Sequence, residues 1–384
     1  MRIVQVVHSF EPTAGGMESA VYSLALAQAE LGHEVLVITT KEKGKLDKEV
    51  IGGVKVTRLW SLHFPLFSSI RFSPGLLGAV MATDADVIHA HGYATPHSFF
   101  AGFAAALKKK PFVFTFHGYH RFKFGISWLF HTTYRLLFAP FFFRWTDKVT
   151  TVAAATIPLL NSQVPKEKVI TIPNGVDSRF KRVKADALKE EFTHGNGPLI
   201  SYIGRLDKYK GIDLLIRAFA KLKKDFPDAV LVIAGRDEGI KNDLKRLAES
   251  LGVQPIFTLL PAERMPEIYS ISDAVVLPSY YEGLSLVVLD TIACETPIIT
   301  TPTGDSERVL KEAYGDLADD FLFKIGSADE LYERLLNVLK NRKWYDGALK
   351  NGSAFIRKNY NWNAIAKKMT AVYNDAIETK RVRK

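Results

Sequence analysis

Cysteine is almost absent from this chain: Cys294 is the only one in 384 residues. No internal disulfide is available, which fits a reducing compartment. The apolar pattern around Cys294 marks a buried core thiol rather than a nucleophile. Long Ser, Gln or Pro tracts and repeats at solenoid period are also missing, which excludes a disordered chain and a repeat array. Residues 1–8 are too short and too soon interrupted for a secretory leader and read as a first buried strand, so a cytoplasmic protein is expected. What is present is 47% hydrophobic and 24% charged, a globular balance at a length suited to two domains of near-equal size.

The first half alternates strands and helices. Apolar, β-rich runs predict strands at 3–8, 35–40, 54–60, 87–90, 112–117, 148–152 and 169–172. Met17, Val21, Leu24 and Leu31 stripe the first helix, which Gly32 ends. The second half repeats the plan, with strands at 199–203, 230–234, 256–260, 274–277 and 297–301 and helices near 212–224, 239–251 and 331–339. Between them Pro173-Asn174-Gly175-Val176-Asp177 is turn-forming and 181–196 is highly charged with little β character. The expected domains are therefore 1–182 and 183–361, with a last amphipathic helix over 362–384 packing back on the first. The fold class is α/β, two doubly wound Rossmann-like domains facing across a cleft, and the carboxyl ends of the strands are the default site.

Charge is unevenly placed. Of the net +10, residues 1–190 hold 23 Lys and Arg against 14 Asp and Glu, and the remainder 28 against 27. The first half is the one expected to face an anionic surface. It also contains 122–145, where Phe124, Trp128, Phe130, Phe138 and Phe141 to Phe143 are interleaved with Lys123, Arg135 and Arg144. Those charges argue against a spanning helix; the segment reads either as a core helix or as an interfacial one with rings at headgroup depth. The cationic tail after Thr379 reads as a solvated end or a membrane contact.

Several motifs can carry chemistry. Glu282 and Asp290 lie eight residues apart, about 800° of ideal helix, so they converge on one ligand only if Glu282 sits on a loop and Asp290 inside the helix expected over 284–294. Gly283 makes that break plausible. Gly204-Arg205-Leu206-Asp207-Lys208-Tyr209-Lys210-Gly211 follows a buried strand and precedes a helix. It is neither a Walker A sequence nor the dinucleotide fingerprint, yet its glycines, guanidinium, ammonium and helix amino terminus suit a diphosphate, the alternative being a solvated turn. Gly15 and Gly16 open the first helix and permit close backbone approach, or simply a tight turn. His117 emerges at a strand's carboxyl end. Asp84-Ala85-Asp86 resembles a metal motif but lies at the wrong end of its strand, and His89 with His91 lacks an evident third ligand, so no metal site is expected.

Taken in order, Gly15-Gly16, Asp86-Val87-Ile88-His89-Ala90-His91, Thr115-Phe116-His117-Gly118, Ile172-Pro173-Asn174-Gly175-Val176-Asp177, Gly204-Arg205 with Lys210-Gly211, and Pro278-Ser279 followed by Glu282-Gly283 resemble the retaining GT-B glycosyltransferases of family 4, or group 1. The resemblance covers nearly the whole chain. It implies transfer of a sugar from a nucleotide diphosphate donor with retained anomeric configuration, without metal or other cofactor. It further implies that Arg205 and Lys210 hold the diphosphate, Glu282 the sugar hydroxyls and Asp290 the ribose, that His117 reaches sugar or phosphate, and that Gly15, Gly16, Gly283, Leu284 and Ser285 line the donor. Two positions depart from the family: its second carboxylate is usually Glu, so Asp290 has about 1.5 Å less reach, and Glu295 stands where Gly is common.

With the charge of the first half, the expected partners are a nucleotide-sugar donor, a lipid or glycan acceptor and an anionic membrane at whose inner face the protein would sit. Nucleic acid is not expected, because no recognition helix or RNA-binding aromatic motif accompanies the charge. A sugar-nucleotide epimerase or hydrolase on the same fold and a noncatalytic nucleotide-sugar-binding protein are the competing readings; base, sugar, linkage, detailed mechanism and oligomeric state are not fixed by the sequence.

Overall fold

Strands buried along their whole length form the middle of two parallel sheets, because a strand covered by helices on both faces has no wet side. The computed structural model describes residues 1–10, 15–64, 67–118, 126–160, 163–195 and 197–382, with backbone alone at 63, 64, 67–70, 126–128 and 130. The chain divides into two compact units, Met1–Gly175 with Trp362–Lys384, and Val176–Asn361.

The first unit begins β1 (Arg2–Val6), α1 (Gly16–Glu30), β2 (Glu34–Thr40), β3 (Lys48–Ile51), β4 (Val54–Leu59), β5 (Leu62–Phe64), β6 (Phe67–Phe72) and α2 (Leu76–Met81). It continues with β7 (Val87–His91), α3 (Pro96–Leu107), β8 (Phe112–Phe116), α4 (Ile126–Thr133), α5 (Ala139–Trp145), β9 (Lys148–Thr151) and β10 (Val169–Thr171). Its large sheet runs β10-β9-β8-β7-β1-β2-β4-β3, with only β3 antiparallel to its neighbour. All seven expected strands are present. β3 and the β5–β6 hairpin were not expected.

The segment around α4 and α5 packs one face into the core and leaves the other exposed. A π-helical stretch, Tyr134–Phe138, joins the two helices. Tyr134, Ala139, Phe142 and Phe143 are buried, with the Phe142 ring edge-on to Phe114 at 5.0 Å. Leu129, Leu136, Leu137, Phe138 and Phe141 are 44–64% exposed. Arg121, Lys123 and Phe124 lie outside the described residues.

The second unit holds α6 (Asp186–Thr193), β11 (Leu199–Ile203), α7 (Ile212–Leu222), β12 (Val230–Ala234), α8 (Lys241–Ser250), β13 (Ile256–Thr258) and α9 (Met265–Ile271). β14 (Ala274–Leu277), α10 (Leu286–Ala293), β15 (Ile298–Thr300), α11 (Ser306–Tyr314), α12 (Ala328–Lys340) and α13 (Arg342–Asn359) complete it. Its sheet is wholly parallel, in the order β13-β12-β11-β14-β15. The boundary expected after residue 182 falls at Gly175. Residues 176–182 go with the second unit because the Val176 N–H donates to the Tyr360 carbonyl at 2.7 Å. The charged stretch after them is not a bare linker: it contains α6, which buries Leu188 and Phe192. The last helix, α14 (Trp362–Val382), belongs to the first unit, where Asp375 pairs with Lys148 at 2.6 Å and Lys380 with Asp147 at 3.3 Å.

Glu295 ends α10 with φ 58°, in the left-handed region that glycine adopts freely. The helix exit thus keeps a glycine-like backbone despite the side chain, and the Arg182 and Arg342 guanidinium groups donate to its carbonyl at 3.3 and 3.4 Å. Left-handed backbone costs a non-glycine residue about 1 kcal/mol. Glu295→Gly is therefore expected to raise the melting temperature by about 2–4 °C in a thermal melt.

Candidate active site

An open parallel sheet offers a crevice where its strand order reverses. In the second unit that point lies between β11 and β14, since β12 and β13 follow on one side and β15 on the other. The loops leaving these two strands carry Arg205, Lys210 and Glu282. The Glu282 Oε1 accepts from Lys210 Nζ at 2.5 Å and from Ser279 Oγ at 2.7 Å. Pairing in this half-buried setting pre-orders both side chains before any ligand arrives. Arg205 is exposed and, among the described residues, makes no ion pair.

Close backbone contact holds the two loops together. The Tyr280 N–H donates to the Tyr209 carbonyl at 2.9 Å. Gly211 has φ 64°, and a Cβ there would lie 2.1 Å from the Pro278 carbonyl oxygen. The same residue opens α7 with no side-chain cap, and α10 likewise starts without a side-chain cap at Ser285. Uncapped first-turn N–H groups beside a guanidinium and an ammonium make a place for anionic oxygens. The expected helix start moves, however: Leu284 and Ser285 belong to the loop and α10 begins at Leu286. Leu284 is buried and serves as an apolar anchor for the loop.

Two further residues shape this loop without having been expected. The Tyr202 hydroxyl, at the end of β11, donates to the Arg205 carbonyl at 2.7 Å; burial raises its pKa, and the negative charge of Glu282 nearby raises it further. Gly304, after β15, has φ 56°, and a Cβ there would lie 1.7 Å from the Gly283 carbonyl oxygen. The neighbouring Asp305 N–H donates to that same oxygen at 3.0 Å.

Asp290 lies apart from the Lys210–Glu282 pair in its electrostatics. It is buried within α10, and burial lifts its carboxyl well above the usual range, with Arg179 opposing and Asp177 reinforcing the shift. Its neighbours thus come from the segment after Gly175. Cys294 is buried, and desolvation raises its thiol pKa, as an inert core thiol requires.

In the first unit the strand order reverses between β1 and β7. Gly15 caps α1 and Gly16 is its first residue, exposed and with nothing within 4 Å of the place a Cβ would take. His117 follows β8 directly, half-buried, with its Nε2 3.1 Å from His91 Nδ1. Desolvation pushes His117 and His8 down to about 4 and His89 to about 3, so all three are neutral at pH 7. His89 and His91 spend their contacts on protein: His89 lies 2.7 Å from the Tyr373 hydroxyl and 2.6 Å from Thr115 Oγ1. Among the described residues no three His, Cys, Asp or Glu side chains converge as a metal site. Asp86 accepts from the Arg2 N–H at 2.7 Å, which makes the Asp84–Asp86 segment the turn that leads into β7.

Two Rossmann-like α/β units, each with polar groups at the point where its strand order reverses, have the architecture of the GT-B fold. Residues 14–180 match the family described as Glycosyltransferase Family 4 and residues 184–353 the family described as Glycosyl transferases group 1. The chain thus belongs to the family 4, group 1 glycosyltransferases. It is 26% identical to an uncharacterized glycosyltransferase of Methanocaldococcus jannaschii, over 98% of this chain and 99% of the relative. Against the phosphatidylinositol N-acetylglucosaminyltransferase GPI3 subunit of Saccharomyces cerevisiae, identity is 24% over 98% of this chain and 83% of the relative. Among solved structures, Anabaena HepE in complex with UDP-glucose superimposes with TM-score 0.77 at 18% identity, covering 98% of this chain and all (100%) of the other.

Proposed function

We propose that this glycosyltransferase is retaining and metal-independent, and moves a sugar from a nucleoside diphosphate donor to a lipid or lipid-linked glycan at an anionic membrane surface. The observation that carries the donor half is the Lys210–Glu282 pair at the reversal point, with Arg205 and two uncapped helix starts beside it. In this reading Arg205, Lys210 and the loop N–H groups take the diphosphate and stabilise the charge that grows on it as the sugar–oxygen bond breaks. Two protein cations supply there what a divalent ion supplies in other transferases. Glu282 accepts hydrogen bonds from sugar hydroxyls, while Gly283, Leu284 and Ser285 line the donor. Asp290 meets the ribose, and His117 and the Gly15–Gly16 turn keep the contacts that the family pattern gives them. A thermal-shift screen with GDP-, UDP- and ADP-sugars tests this: one donor class is expected to raise the melting temperature by mass action, and Arg205→Ala to abolish that shift. No shift with any of them would sink the donor assignment.

The membrane half is supported by the exposed Leu136, Leu137, Phe138 and Phe141 beside Arg135 and Arg144. No Asp or Glu occurs between Asp86 and Asp147, a stretch with seven Lys and Arg. Apolar side chains that enter the headgroup layer and cations that meet its phosphates are the two parts of an interfacial contact. The yeast relative named for phosphatidylinositol points to the same class of acceptor. Among the described residues no helix is long and apolar enough to cross a membrane. Co-sedimentation with phosphatidylserine-containing vesicles is expected to decline as salt rises and to weaken in Leu137→Ser/Phe141→Ser; indifference to lipid charge would contradict this half.

A further inference from the structure

A chain of buried hydrogen bonds runs from the first unit's outer helices to the strand end that bears His117. Gln5 Nε2 donates to Gln28 Oε1 at 2.6 Å, and Gln28 Nε2 to the Tyr373 hydroxyl at 2.9 Å. That hydroxyl lies 2.7 Å from His89 Nδ1, His89 Nε2 lies 2.6 Å from Thr115 Oγ1, and Thr115 Oγ1 lies 2.6 Å from Thr150 Oγ1. Every member is at most 4% exposed. The chain crosses α1, α14 and strands β1, β7 and β8 and ends on β9; its member on β8, Thr115, stands two residues before His117.

Its direction is fixed by counting protons. The Tyr373 oxygen already accepts an amide proton from Gln28, so its own proton goes to His89 Nδ1. His89 is then a neutral Nε2–H imidazole that donates to Thr115, whose hydroxyl donates to Thr150. Reversing the two amides would strand the buried NH2 group of Gln5 instead of its Oε1, the atom now without a partner, and orphaned donors are rarer than orphaned acceptors. The same reasoning settles the next pair. His91 Nε2 is buried without a partner, so His91 carries its proton on Nδ1 and donates it to His117 Nε2. His117 is left with its proton on Nδ1, and among the described residues that nitrogen has no partner.

The His89 ring packs on the His91 ring with centroids 4.1 Å apart, and Thr115 is the β8 partner of His91. We propose that Tyr373 and His89 are positioning residues for His117: the buried chain they form fixes the adjoining histidine rings so that His117 presents Nδ1–H as a hydrogen-bond donor to an oxygen of the substrate. No bond is made or broken in this role. It rests on the reading that His117 takes part in sugar transfer.

Nitrogen-15 NMR of imidazole-labelled protein at pH 7, with His117→Ala identifying one signal set, tests the tautomers without perturbing the fold. Nδ1–H at His91 and His117 and Nε2–H at His89 are expected; Nε2–H at His117 overturns the proposal. Tyr373→Phe is then expected to shift the His89 and His91 signals and to lower kcat about tenfold with the donor KM unchanged. Tyr373→Phe that leaves both spectrum and kcat as they were also overturns it. The underlying reading fails separately, if His117→Ala turns over normally, and Tyr373 then has no positioning role in transfer.

Discussion

Glu282→Ala is expected to lower sugar transfer about 10³-fold, the size of effect seen when one preorganised group is lost from a reacting centre. Affinity for the free nucleoside diphosphate should hold or rise. The reason is the Lys210 contact: Glu282 now occupies that ammonium at 2.5 Å, and removing the carboxylate leaves the cation to the diphosphate alone. A half-buried Lys210 without its partner also costs stability, on the order of 1–3 kcal/mol in the empty protein. Isothermal titration with the diphosphate and initial rates with the intact donor separate the two effects. Equal losses of diphosphate binding and turnover would mean that Glu282 organises the loop and has no part with the sugar.

Gly304→Ala should be nearly as damaging although Gly304 carries no side chain to meet a ligand. Its φ of 56° strains any other residue, and the added carbon would sit 1.7 Å from the Gly283 carbonyl and 2.7 Å from that of Glu282. Both obstacles are backbone, so relief requires moving the loop that holds Glu282. Strain and overpacking together amount to about 2–5 kcal/mol. A lower melting temperature with loss of the donor-induced shift is the expected pair of readings. A variant that melts and binds as the parent does would show that the loop yields freely, against the close packing around Gly283.

The interior strands were legible because unbroken apolar runs such as Val230–Ala234 have few other fates. β3 escaped because it is an edge strand of sequence Lys-Glu-Val-Ile with no residue fully buried. The start of α10 was misplaced for a different reason. Leu284 continues the apolar pattern of the helix, yet its side chain anchors a loop, and periodicity does not separate the two uses. At the candidate site, Glu282, Arg205 and Lys210 stood out as residue types at strand ends. Their pairing did not: Lys210 and Glu282 are 72 residues apart, and only the order β11-β14 makes their loops neighbours. Tyr373 was not singled out because its hydroxyl's partners, Gln28 and His89, are distant in sequence; Tyr202 was not either, because inside an apolar strand run its hydroxyl gives no separate signal even though its partner Arg205 is three residues on. Gly304 was passed over because its carbon-free space is filled by a loop distant in sequence.

The most direct test is transfer itself: incubate the protein with its stabilising donor and a membrane lipid extract, follow nucleoside diphosphate release, and read the product's anomeric coupling by proton NMR. Release that depends on the extract, with a product of the donor's own anomeric configuration, is the expected result. Donor consumed equally without acceptor, or a product of inverted configuration, would contradict a retaining transferase built around Arg205, Lys210 and Glu282.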